Sequence, residues 1–184
     1  MEQNQTGLSY FRIKTEYTKE QENDTLQKTK IEELVLATSY TEAEKVAYKL
    51  AEIYDRTKFS NINIEIIKTK ITDVLYNNIL EQDEDQVCGM IGNFFSESEN
   101  SGTGLYSVKT DFFTVDEKTA KEKKTTETFY TPATSNADAN NRIIEHLRDT
   151  MSDYVIRDAK FDRAEAIYWP TEVHRSKTQE YDKQ

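Results

Sequence analysis

Apolar and polar positions recur in the same order in two separate stretches of the chain. Phe11-Arg12-Ile13-Lys14-Thr15-Glu16-Tyr17 aligns with Tyr106-Ser107-Val108-Lys109-Thr110-Asp111-Phe112, matching in identity or kind everywhere except at Arg12 and Ser107. Both read as strands with one face buried, because side chains two positions apart share a face of a strand. Downstream, Ala37-Thr38-Ser39 is matched by Ala133-Thr134-Ser135. A helix signal follows each. In the first, Ser39 or Thr41 caps and Glu42 or Glu44 completes a capping box, which satisfies backbone amides that the first turn leaves without partners. Ala43, Val46, Ala47, Leu50, Ile53 and Tyr54 then fall on one helical face. In the second, Ser135 or Asn136 caps, and Ile143, Leu147, Thr150 and Met151 form the apolar stripe. A third strand closes each run: Ile62, Ile64 and Ile66 alternate with Asn61, Asn63 and Glu65, and Tyr154 and Ile156 hold the equivalent phase. Charged loop tips are expected at 20–25 and 116–123.

The fold class expected from this pattern is α+β: a tandem duplication of a β-β-α-β unit, with mainly antiparallel sheets and one helix per repeat. The divisions are a disordered N-terminus at 1–9, a first repeat at 10–78, a linker at 79–104, a second repeat at 105–170 and a flexible tail at 171–184. One such unit has little apolar area to bury, so the copies are expected to pair, either as one six-stranded sheet or as two layers. The linker contains Glu81, Asp83, Glu84, Asp85, Glu97 and Glu99 without Lys or Arg, and four of the chain's five glycines. Its apolar stretch, Val87 to Phe95, either packs on a sheet or docks a partner through Val87, Met90, Ile91, Phe94 and Phe95.

Charge narrows the function classes. The 184 residues hold 24 basic and 34 acidic side chains, a net of −10, so generic attraction to phosphate backbones or anionic membranes is disfavoured unless the basic residues are segregated. The single cysteine, Cys88, excludes an intrachain disulfide and fits a reducing compartment. With a polar N-terminus and no apolar run of membrane-spanning length, a cytoplasmic protein without a membrane partner is expected.

Catalytic patterns are sparse. His146 and His174 have no neighbouring metal-ligating partner, and Cys88 has no adjacent activator. The glycine pairs Gly89/Gly92 and Gly102/Gly104 precede no Lys-Ser or Lys-Thr of a phosphate loop. Asp158-Ala159-Lys160 and Asp83-Glu84-Asp85 read as solvated loops. No catalytic residue, metal or cofactor is therefore assigned, and the expected role is non-enzymatic binding.

A binding surface is expected on a polar sheet face built from Arg12, Lys14, Lys68, Lys70 and Lys109, with Tyr17 and Phe112 as stacking aromatics for a single-stranded nucleic acid. The competing reading pairs strand lysines with Glu16, Glu33, Glu65 and Asp111 across the sheet. In the second functional alternative, an acidic interaction protein uses linker carboxylates as a phosphate mimic toward a host enzyme or a defence protein.

The first strand and its charged hairpin, Ser39-Tyr40-Thr41-Glu42-Ala43-Glu44, Phe113 to Lys124 and Asp149-Thr150-Met151-Ser152-Asp153-Tyr154 resemble a family of uncharacterised proteins, domain of unknown function 4494, seen in Bacteroidetes prophages and crAss-like phages. The resemblance runs from Tyr10 to Trp169. It implies a phage-type accessory role and transfers no catalytic or ligand-binding residue. The partner it leaves open is nucleic acid or a nucleic-acid-handling protein.

Overall fold

Two long hairpins carry the architecture of the computed structural model, which describes residues 7–95 and 102–184. In the first, β1 (Ser9–Glu20) pairs antiparallel with β2 (Leu26–Ala37), Ser9 opposite Ala37 and Glu20 opposite Leu26. In the second, β7 (Gly104–Val115) pairs antiparallel with β8 (Glu122–Ala133), Gly104 opposite Ala133 and Val115 opposite Glu122. The expected tips are the observed turns. Gln21 N donates to Thr25 O at 2.8 Å in one, and Asp116 N to Lys121 O at 2.9 Å in the other.

Each hairpin leads into a helix capped in the same way. α1 (Tyr40–Ile53) is capped by Ser39, whose Oγ accepts from Glu42 N at 3.2 Å, while Glu42 Oε2 accepts from Thr38 N at 2.6 Å. α2 (Asn136–His146) is capped by Ser135, whose Oγ accepts from Asp138 N at 3.0 Å, while Asp138 Oδ2 accepts from Thr134 N at 2.9 Å. These reciprocal bonds satisfy first-turn amides, and a cap of this kind contributes about 1 kcal/mol. β3 (Ser60–Lys68) and β9 (Asp153–Asp162) then return antiparallel to β1 and β7. The two runs thus share element order, and strand adjacency is β3-β1-β2 in one and β9-β7-β8 in the other.

The remaining strands build two separate sheets. β5 (Leu80–Val87), β6 (Met90–Phe95) and β10 (Ala166–Pro170) extend the first to the order β3-β1-β2-β10-β6-β5, with β10 parallel to β2. The two-residue β4 (Asp73–Val74) extends the second to β4-β8-β7-β9. The chain accordingly divides into one unit of residues 1–69, 81–94 and 164–180 and another of 70–80, 95–163 and 181–184.

In the first unit, α1 packs on Phe11, Ile13, Val35, Val87, Met90, Ala166 and Tyr168 through Ala43, Val46, Ala47 and Leu50. In the second, α2 packs Ala139, Ile143 and Leu147 on Tyr106, Val108 and Phe129. Ile53, Tyr54, Thr150 and Met151, expected in these stripes, are exposed; the helices end at Ile53 and His146, and of the residues expected beyond those ends only Leu147 is buried.

The segment expected as a linker contains the β5-β6 hairpin. Cys88 and Gly89, both with positive φ (53° and 76°), form its two-residue turn, the conformation that matches the twist of paired strands. The tail expected to be flexible is α3 (Thr171–Asp182), with Val173 and His174 buried. Residues 1–6 of the expected disordered N-terminus, and Glu97 and Glu99 of the linker, lie outside the described residues. Among the described residues, no helix is long and apolar enough to cross a membrane.

Candidate functional site

Strand parity decides where the expected basic and aromatic residues go. In β1, Phe11 and Ile13 face α1, so Tyr17 shares their side, and it stacks on Phe59 with ring centroids 4.7 Å apart. Arg12 and Lys14 occupy the alternate positions and face the other way. In β7, Phe112 packs with Phe129 and Tyr154 beside the α2 core, whereas Lys109 points to the opposite face. Lys68 stands opposite Phe11 in register, in phase with the α1 side and exposed. Lys70 follows β3 and belongs, with Lys109 and Phe112, to the second unit. Within each unit, then, Arg12 and Lys14 lie on the face opposite Tyr17 and Lys109 on the face opposite Phe112, while Lys68 alone is in phase with Tyr17. No basic aromatic platform forms from Arg12, Lys14 and Tyr17, nor from Lys109 and Phe112.

Several cations are held by carboxylates. Arg12 Nη1 donates to Glu32 Oε2 at 2.8 Å, and Lys14 lies between Glu32 on β2 and Glu65 on β3 in register. Glu16 receives Lys28 at 2.7 Å and Lys30 at 3.0 Å. At the matching place in β7, Asp111 receives Lys124 at 3.1 Å, Arg157, and the Thr126 hydroxyl at 2.6 Å. The bond from Lys28, then that from Lys30, holds the Glu16 carboxyl below its ordinary range. The Thr126 hydroxyl, then Lys124 and Arg157, do the same for Asp111. Cross-strand charge pairing is therefore the arrangement these faces adopt.

The expected docking residues are spent on the core. Val87, Met90 and Ile91 are buried, and Phe94 packs edge-on against Tyr168 at 6.0 Å. Phe95 is half-buried at the end of β6. The cause is β10, whose Ala166-Ile167-Tyr168-Trp169 run pairs with β6 and needs apolar neighbours on both faces.

Two buried polar pairs have no local sequence signature. Arg56, just after α1, donates Nη1 to Glu33 Oε2 at 2.9 Å and Nη2 to Glu33 Oε1 at 2.8 Å, both side chains being buried. Near them, burial raises the pKa of the Tyr168 phenol. On α3, His174 Nε2 meets Asn93 Oδ1 at 3.1 Å, and burial lowers its pKa, favouring the neutral ring. Among the described residues, no three His, Cys, Asp or Glu side chains gather as a metal-ligating group.

The edge strand β5 departs from the charge-paired pattern. β5 carries Glu81, Asp83, Glu84 and Asp85 at the edge of the six-stranded sheet, with only its end residues Leu80 and Val87 buried. Among the described residues, no ion pair reaches these four carboxylates, and the one hydrogen bond to their side chains comes from Asp85 N to Asp83 Oδ1 at 3.0 Å. Like charges this close oppose strand formation, so β5 is held by its ends and by β6 against its own repulsion. Acid-rich composition hid it: both faces of the strand are polar, and no period-two signal survives.

Comparison with curated proteins and with solved structures yields no match. The sequence model of one family, described as "Domain of unknown function (DUF4494)", matches residues 9–171. The match spans both hairpins, both capped helices and the central strand β10, and the chain belongs to that family.

Proposed function

We propose that the chain acts by binding, without a catalytic step of its own, and that its partner is a protein with a basic surface of the kind that handles nucleic acid. The observation that carries this reading is β5: four carboxylates within five positions of an edge strand, with no cation paired to them among the described residues. At about 3.3 Å of rise per strand residue, they present roughly one charge per 4 Å. A single DNA strand presents about one phosphate per 3.4 Å, so a surface evolved for phosphate finds similar charge spacing here.

Part of the basic surface is already engaged within the chain. Arg12, Lys28, Lys30, Lys124 and Arg157 are held by carboxylates, and the aromatics that would stack bases face the helices. The family resemblance supports a phage-type setting, in which such a protein would occupy a host enzyme or a defence protein. The matching hairpins and caps support the reading of the two runs as copies of one ancestral unit.

The test is a titration of a labelled arginine-rich peptide and of a single-stranded oligonucleotide at low and high salt. One variant combines Glu81→Gln, Asp83→Asn, Glu84→Gln and Asp85→Asn. A control of equal net charge combines Glu20→Gln, Glu22→Gln, Asp24→Asn and Glu117→Gln. The expected result is salt-sensitive peptide binding that survives in the control and falls about ten-fold or more in the β5 variant, with the oligonucleotide left unbound. Equal loss in both variants, or tighter binding of the oligonucleotide, would contradict the proposal.

A further inference from the structure

We infer that β5 takes its partner by strand addition: an extended, Lys- or Arg-rich segment pairs with the free backbone edge of β5 and extends the six-stranded sheet. The inference rests on the binding reading above and specifies its mode.

Three observations carry it. First, β5 is terminal in its sheet, and alternate residues of an antiparallel edge strand direct their N–H and C=O away from the neighbouring strand. Among the described residues, no loop or helix hydrogen-bonds to the backbone of 81–87 from that side. Second, the other edges are defended differently. β3 mixes Glu65 with Lys68. β9 mixes Asp153, Arg157, Asp158, Lys160 and Asp162 and breaks register beside Thr110, while β4 has only two residues. Mixed charge, bulges and short length reject strands of either sign, whereas an edge of one sign rejects its like and admits its opposite. Third, strand addition places alternate side chains of the incoming segment beside those of β5, so lysines or arginines on one face would line up with Glu81, Asp83 and Asp85. Backbone bonds would supply affinity, and charge would choose the partner.

The test uses the full-length chain and two synthetic peptides of about nine residues alternating lysine with valine, one ordinary and one N-methylated along its whole backbone. The peptides carry equal charge, but the methylated one has no N–H to donate. Affinity is read by titration at low salt, and amide protection of β5 by hydrogen exchange. The expected result is binding of the ordinary peptide with slowed exchange at β5, and about ten-fold or more weaker binding of the methylated one. Equal binding of both peptides would overturn strand addition and leave an electrostatic partner site intact. Slowed exchange confined to another edge would overturn it as well. Failure of both peptides to bind would remove the binding reading together with its mode.

Discussion

Arg56 grips Glu33 through two parallel hydrogen bonds of 2.9 and 2.8 Å at a position where the second unit has no charge. Glu33 stands opposite Ile13 on the α1 side of β2, and Phe129 stands opposite Val108 at the corresponding place, its ring meeting His146 edge-on at 5.8 Å. The same fold position therefore accepts either a buried ion pair or an aromatic ring. Desolvating two charges consumes most of what their attraction returns, but leaving one alone is far worse.

From this asymmetry, Arg56→Ala is expected to destabilise the first unit by about 3–5 kcal/mol, because Glu33 is left buried without its partner. The double variant Glu33→Leu with Arg56→Met is expected to recover most of that loss. Urea unfolding followed by circular dichroism measures both. A double variant no better than the single one would contradict the argument.

Asp111 sets an acid dependence. Its carboxyl titrates below the ordinary range because the Thr126 hydroxyl, Lys124 and Arg157 favour the charged form. A carboxyl whose pKa is lowered on folding adds stability above its unfolded value, near about 3.9, and loses it as pH falls through the folded value. Asp111→Asn should therefore be less stable than the native chain at neutral pH, with the gap narrowing toward pH values below that range. Thermal unfolding across pH reads this directly, and a gap independent of pH would contradict it.

Two strand glycines should respond differently to alanine. At Gly92 a Cβ would meet Tyr168 Cε1 at 2.9 Å and Phe94 at 3.1 Å, and Tyr168 is fully enclosed. At Gly104 the added carbon would strike the Phe161 ring, which is 61% exposed and free to swing outward. Gly92→Ala is expected to cost about 1–3 kcal/mol by overpacking, and Gly104→Ala less than about 1 kcal/mol. Equal costs by urea unfolding would contradict this account of the two contacts.

Thr15 and Thr110 occupy matching positions, and the hydroxyl of each is buried without a hydrogen-bond partner among the described residues. A buried polar atom without a partner costs about 1–3 kcal/mol, and valine has the same shape without the hydroxyl. Thr15→Val and Thr110→Val are each expected to leave stability unchanged or raise it. A loss in both would reveal a hydrogen bond that the geometry does not contain.

The parts of the fold legible in the sequence were those with one buried face. β1 and β7 alternate from Phe11 to Tyr17 and from Tyr106 to Phe112, and the charged tips of their hairpins fall where charge cannot be buried. Ser39 and Ser135 announce their helices through the acid three positions on. What escaped had no such contrast. β5 is polar on both sides, and β10 is apolar on both because it lies inside a sheet, so neither alternates. The expected basic aromatic face failed on parity that the sequence already contained: Tyr17 lies three positions from Lys14, and Phe112 three from Lys109, which puts each pair on opposite faces. The Glu33–Arg56 pair joins residues 23 positions apart and left no local trace.

The proposed role of β5 as the recognition edge is tested most directly by amide-resolved NMR of the labelled chain during titration with an arginine-rich peptide. Shifts concentrated at 81–86 and on the adjoining strand β6, growing weaker as salt is added, are the predicted result. Shifts spread evenly over acidic positions, or centred on the hairpin tips at 20–25 and 116–121, would contradict it.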